Sequence, residues 1–208
     1  MNNKDIIPGI VEEVRISMKG RICDKQNNVA TMASYTLEAG HGDHLEIGTL
    51  FGGSAIVVAL LKKWHFLDGK VYCVDPLDGF YFARLGKRVD PDLPGKLRVD
   101  RAALDYNIRQ FGVEDRMEVI EKPSIPWPDE LKGKQFVSAY IDGDHWGNTP
   151  TTDWENVKDN VTRFVIFDDY DKKHPSVIKA CELAAEDPNW KTVWDAGITY
   201  VLEREKCK

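Results

Sequence analysis

The sequence has no paired cysteines, no long basic runs and no long apolar stretches, and each shortage excludes something. Its four cysteines stand singly at 23, 73, 181 and 207, with no CxxC. Nothing in that spacing calls for disulfides, so a reducing cytoplasm is the expected location. Cys73 and Cys181 lie in apolar contexts and read as small core residues. No long run of Lys or Arg occurs, and the formal net charge over 208 residues is −6. A chain that binds by neutralising phosphates carries a basic face. No nucleic acid is therefore expected as a partner, and no membrane, because an anionic bilayer is disfavoured on the same ground. No apolar run reaches membrane-spanning length. The opening MNNKDIIPGIVEEVRISMKG lacks the basic-then-apolar pattern of a signal segment. Repeats and low-complexity stretches are absent too.

What remains is the composition of a globular protein of ordinary single-domain size. The first 40 residues predict a helix at roughly 8–19 and then a polar connection containing Asn27 and Asn28. From there strands and helices alternate. His44 to Thr49 predicts a first strand, broken by Gly52-Gly53, with Ser54 able to cap the apolar helix AIVVALLKKW. Lys70–Asp75, Arg116–Glu121, Phe136–Ile141 and Arg163–Phe167 predict strands two to five. Helices are expected over Leu97–Phe111, Thr149–Val161 and about Pro175–Glu186, and the tail KTVWDAGITYVLERE predicts two strands joined at Asp195-Ala-Gly197. Such alternation implies an α/β fold: an open, mostly parallel, doubly wound sheet with helices on both faces. In that architecture ligands bind beyond the carboxyl ends of the strands, near the switch point.

The residues just after each strand are accordingly the candidates. They are Gly48-Thr-Leu-Phe-Gly-Gly-Ser54, Asp75-Pro-Leu-Asp78, Lys122-Pro-Ser124, Asp142-Gly-Asp-His145 and Asp168-Asp-Tyr-Asp171. The glycine segment allows a tight turn and a close ligand, but it is neither GxGxxG nor a phosphate-binding P-loop. A neutral or cationic adenosyl ligand suits it better than a pyrophosphate. Asp75 ends a strand beside that turn, where a carboxylate can accept ribose hydroxyls. Asp168 and Asp169 repel one another unless a cation or donor compensates. If strands four and five are neighbours, about 4.8 Å apart, Asp142 can converge with them on one hard cation. His145, three residues on, could take a proton from a metal-held hydroxyl. Asp144 reads as a turn-shaping residue. His41 and His44 precede strand one and belong to the opposite edge, so a zinc site there is not expected.

The segments LEIGTLFGGSAI, VYCVDP, AYIDGDH and FVIFDDY, in that order, resemble the class I S-adenosylmethionine-dependent methyltransferases. The branch they resemble most is the metal-dependent small-molecule O-methyltransferases, with the macrocin-type sugar enzymes nearest and the catechol type more distant. The resemblance covers roughly residues 40–202. It implies a Rossmann-like seven-stranded sheet with an antiparallel C-terminal strand, spanning residues 41–208 behind an N-terminal helical segment of residues 1–40. It implies that Glu46, Gly48 and Ser54 surround the methionine part of S-adenosylmethionine, that Asp75 holds the ribose and that Ser124 lies near the adenine. It implies Asp142, Asp168 and Asp169 as ligands of Mg2+ or another hard divalent cation, and His145 as the catalytic base. The partner is then a small-molecule hydroxyl acceptor, a sugar or a polyphenol, with a homodimer as an arrangement such enzymes adopt. The catechol type carries Asn as the last metal ligand, whereas this chain has Asp169, the residue type of the sugar-modifying branch. The segment from Asp78 to Asp100, with Phe80, Tyr81, Phe82 and Arg84, is a candidate lid. Three rivals stand: a metal-dependent hydroxylase of the same architecture, a non-catalytic S-adenosylmethionine-binding module and a nucleotide-sugar-binding protein. The first is disfavoured because the sequence has no clear two-His-one-carboxylate arrangement. The intact acids count against the second, and the missing phosphate loop against the third.

Overall fold

The structure, a computed structural model, describes residues 3–22, 24–78, 80–81 and 97–205. Two helices open it, α1 (Asn3–Ser17) and α2 (Asn28–Ala39). Then come β1 (His44–Ile47), α3 (Gly53–Trp64), β2 (Val71–Val74), the two-residue strands β3 (Phe80–Tyr81) and β4 (Leu97–Arg98), and α4 (Arg101–Gln110). The second half holds β5 (Met117–Ile120), β6 (Phe136–Ile141), α5 (Thr149–Val157), β7 (Val161–Phe167), α6 (Pro175–Glu186), β8 (Trp190–Ala196) and β9 (Thr199–Arg204).

Seven strands form one sheet in the order β5-β2-β1-β6-β7-β9-β8. Every neighbouring pair from β5 to β7 is parallel, and β9 runs antiparallel to both its neighbours. This is the expected doubly wound α/β sheet with an antiparallel last strand. All four residues of β1 and of β2 are buried, as strands covered on both faces require. One face packs against α1, α2, α3 and α4 through Ile10, Val14, Met32, Ile56, Leu104 and their neighbours. The other packs against α5 and α6 through Trp154, Val157, Val177 and Ala180. Cys73 and Cys181 are buried free thiols, one in each layer. Local chemistry starts the later helices: the Asp100 side chain accepts the Ala103 N–H at 2.9 Å to cap α4, and Pro150 and Pro175 sit in the first turns of α5 and α6.

Four expectations need correction, and one is the helix expected over Thr149–Val161, which ends at Val157 with Val161 already opening β7. The first helix begins at Asn3, earlier than residue 8. Asn28 is no part of a polar connection; it is buried and opens α2, directly after Asn27 in the left-handed region (φ 62°). The helix expected from Leu97 starts only at Arg101, because Asp100 caps it and Leu97–Arg98 pair with β3. Of the candidate lid, Phe82 and Arg84 lie outside the described residues, and for Phe80 and Tyr81 only the backbone is described. Cys23 and Cys207 also lie outside them. Among the described residues, no helix is long and apolar enough to cross a membrane.

Candidate active site

The chain runs outward from β1 to β2 to β5, then crosses back to β6 and on to β7, so the switch point lies between β1 and β6. The register sets what stands there. Ile47 pairs with Val74 on one side and Ile141 on the other, and Ile141 pairs with Phe167. The next residue of each strand is therefore Asp75, Gly48, Asp142 or Asp168, a row of three carboxylates around one glycine. Gly48 (φ 89°) cannot be replaced cheaply: a Cβ there would fall 2.1 Å from the Asp142 carbonyl oxygen.

Asp142, Asp168 and Asp169 each place one oxygen within 4.8 Å of the others. Burial first, and then the neighbouring carboxylates, push Asp168 well above the usual carboxylate range; burial is also the largest cause raising Asp142. Asp168 Oδ2 accepts a 2.7 Å hydrogen bond from Asn28 Nδ2, while its buried Oδ1 has no partner. Asp169 sits at φ 52°, a left-handed conformation that carries strain. Three acids packed this closely, one with an orphaned buried oxygen, form a donor set suited to a hard cation.

His145 lies between two of them, Nε2 3.4 Å from Asp142 Oδ1 and Nδ1 3.4 Å from Asp169 Oδ2. Burial works to lower its pKa, but Asp142, Asp169 and Asp168 outweigh burial and the net shift is upward. A cation on those carboxylates would offset their charge and return the imidazole toward its ordinary range. Asp144 is exposed and accepts from Thr149 Oγ1 at 3.3 Å, which fits a turn-shaping role.

The remaining candidates line the same edge. Glu46 is fully buried and neither carboxylate oxygen has a well-aligned hydrogen bond. Burial pushes its pKa up to about 8; the Ser54 and Thr49 hydroxyls beside it offset part of that, while Asp142 and Asp75 add to it. Asp75 accepts the Leu50 N–H and the Leu77 N–H, both at 2.8 Å, and so ties the glycine loop to the end of β2. Leu50 (φ 53°) and Leu77 (φ 50°) are both held in the left-handed region, where a leucine is strained. Ser124, after β5, lies beside Asp153 of α5. Asp153 is buried with neither oxygen in a well-aligned hydrogen bond; burial raises it to about 6, and the nearby Ser124 hydroxyl offsets part of that.

Three polar residues at this edge escaped the sequence. Asn28 was hidden because α2 was read as a connection. Asp153 sits inside a helix, with no motif around it. His174, immediately before Pro175, is buried at the start of α6; its ring centroid is 5.0 Å from that of His145. His145, Asp169 and His174 bring one ligand atom each within 4.8 Å of the others. The sequence has no clear two-His-one-carboxylate set, yet the tertiary structure assembles one. Its usable signal was position: His174 follows strand five, so it must lie on the carboxyl edge. At the opposite edge His44 is buried at the start of β1 and pairs through Nδ1 with Ser138 Oγ at 2.8 Å, with no metal-binding group around it among the described residues.

Comparison with known proteins places the fold in a family. The family model described as a methyltransferase domain matches residues 45–170. The O-methyltransferase NovP superposes with a TM-score of 0.69 at 16% identity, covering 98% of each chain. An O-methyltransferase from Bacillus cereus, solved in complex with SAH, gives 0.62 at 15% identity over 99% of this chain and 93% of that one. TomG from Streptomyces achromogenes, an O-methyltransferase solved with SAM, gives 0.60 at 14% over 98% and 90%. No curated protein matches the sequence. The chain belongs to the methyltransferase domain family and has the class I fold found in S-adenosylmethionine-dependent O-methyltransferases.

Proposed function

We propose that the protein is an S-adenosylmethionine-dependent, divalent-metal-assisted O-methyltransferase acting on a small molecule with adjacent hydroxyls, a sugar or a polyphenol. The observation that carries the reading is the convergence of Asp142, Asp168 and Asp169 beside His145 at the switch point. Structural relatives solved with SAM or SAH support the cofactor class. Mg2+, held by the three aspartates, would act as a Lewis acid that lowers the pKa of an acceptor hydroxyl. S-Adenosylmethionine would supply an electrophilic methyl group.

The chain's own residues do the rest. Glu46, Gly48 and Ser54 flank the methionine part, Asp75 holds the ribose and Ser124 lies toward the adenine. His145 removes the hydroxyl proton, which must leave as the new O–C bond forms. The rigid ends of β1, β6 and β7 fix these groups relative to one another, and such positioning supplies much of the rate. Two hydroxyls on one acceptor would chelate the ion better than one, hence the preference for a diol. Cytoplasmic location and a homodimer belong to the same reading. The test is calorimetric titration of S-adenosylmethionine with Mg2+ and with chelator, followed by methyl-transfer assays on diols and sugars. Saturable binding and Mg2+-dependent transfer are expected; absence of binding in both conditions overturns the reading.

A further inference from the structure

Beside the three-carboxylate centre lies a donor set of different chemistry. His145 Nδ1 and Asp169 Oδ2 are 3.4 Å apart. Two atoms at that separation span the edge of a tetrahedron whose centre is about 2.1 Å from each, the ordinary length of zinc bonds to imidazole nitrogen and carboxylate oxygen. His174 completes the set. Its side chain is almost wholly buried, and its Nδ1 stands 3.1 Å from Asp171 Oδ1 without an aligned hydrogen bond. A carboxylate behind one ring nitrogen is the arrangement that orients an imidazole to ligate through the other. His145 Nε2, buried without an aligned hydrogen bond, faces Asp142 Oδ1 at 3.4 Å on the other side of the ring, leaving Nδ1 toward Asp169. Two imidazoles and one carboxylate favour first-row transition ions, whereas an all-oxygen set favours Mg2+.

We propose that His145, Asp169 and His174 form a second cation site, selective for a transition ion such as Zn2+, and that filling it stops methyl transfer. Asp169 belongs to both donor sets, so either ion recruits it. A His145 nitrogen bound to an ion has no lone pair with which to take a proton. The inhibitory half rests on the proposed role of His145; the binding half does not.

The test uses the full chain, stripped with chelator. Zn2+ affinity is read by competition with a chromophoric chelator, Mg2+ affinity by calorimetry, and Co2+ binding by visible absorption. His174→Ala is expected to weaken Zn2+ at least tenfold and to leave Mg2+ within about twofold. Asp168→Asn, outside the imidazole set, is expected to do the reverse. A His174→Ala protein that binds Zn2+ like wild type overturns the site, as does an Asp168→Asn protein that loses both ions in parallel. In case His174→Ala does not fold, 15N NMR of the wild-type imidazoles gives an independent reading. Zn2+ should shift the ring nitrogens of two of the five histidines, and a spectrum in which none moves overturns the site. Zn2+ should also inhibit transfer, with His174→Ala raising the inhibitory concentration at least tenfold, each protein compared with its own zinc-free rate. Unchanged inhibition removes the inhibitory half. If no acceptor is methylated at all, the proposed function fails, while the metal titrations still decide the site.

Discussion

His44 and Glu46 sit two residues apart on the same buried strand, and the fold treats them in opposite ways. At the amino end of β1, burial and the nearby Lys62 ammonium push His44 down to about 3, so it is a neutral ring paired through Nδ1 with Ser138, with Nε2 the one ring atom left without a hydrogen bond. Lys62 itself is turned onto backbone carbonyls, donating to Gly42 O at 2.7 Å. At the carboxyl end, neither Glu46 oxygen has a well-aligned hydrogen bond, with only the Ser54 and Thr49 hydroxyls standing close, and buried oxygens without one continue through Thr49 and Asp168. Buried polar atoms are normally satisfied. An edge that satisfies most of its polar groups is built for stability; one that leaves several open is built to receive something. The difference locates function on the sheet without reference to any motif.

The comparison breaks most sharply if the two edges respond alike to mutation. Asp168→Ala should lower metal-dependent transfer by about 10³-fold, since the Lewis-acid contribution is worth several kcal/mol, and Mg2+ should no longer accelerate the residue of activity. Lys62→Met, at the amino edge, should leave the rate per folded molecule alone while costing about 1–3 kcal/mol in urea stability through its stranded carbonyls. His145→Ala should cost about 10²-fold or more in kcat/KM. In wild type the rate should rise with pH as His145 loses its proton, and the variant's profile should lose that limb. Asn28→Ala removes the 2.7 Å donor to Asp168. An oriented ligand that loses its outer partner should weaken Mg2+ binding by about tenfold, measured by calorimetry.

Stability against pH should move in opposite directions at the two ends of β1. His44 is depressed from 6.5 to about 3 in the fold. The unfolded chain therefore binds the extra proton, and stability is lost as pH falls from 6.5 toward 3. Glu46 is raised from 4.5 to about 8. Here the folded chain binds the extra proton, so stability present below 4.5 is lost as pH rises toward 8. Urea midpoints across pH should show Glu46→Gln gaining on wild type as pH rises, and His44→Gln gaining as it falls. Parallel slopes in the two variants would mean that the two ends do not differ as described.

Most of the carboxyl edge was legible in the sequence because it follows short apolar runs. Where β6 ends at Ile141 and β7 at Phe167, the next residue must stand at the edge, and Asp142 and Asp168 do. Asn28 was illegible for the opposite reason. Its helix is weakly patterned and follows two residues, Gln26 and Asn27, whose left-handed backbone looks like a turn. Asp153 and His174 carry no local signal of burial.

The sequence by itself determined the alternation of strands and helices, the antiparallel end of the sheet, and the acids that terminate each strand. These follow from local periodicity and from where apolar runs stop. Only the tertiary structure decided that Asn28 reaches Asp168 across 140 residues of chain, and that His174 joins His145 and Asp169. Those contacts depend on how helices dock on the sheet, and docking is set by packing between segments distant in sequence, which no local pattern encodes.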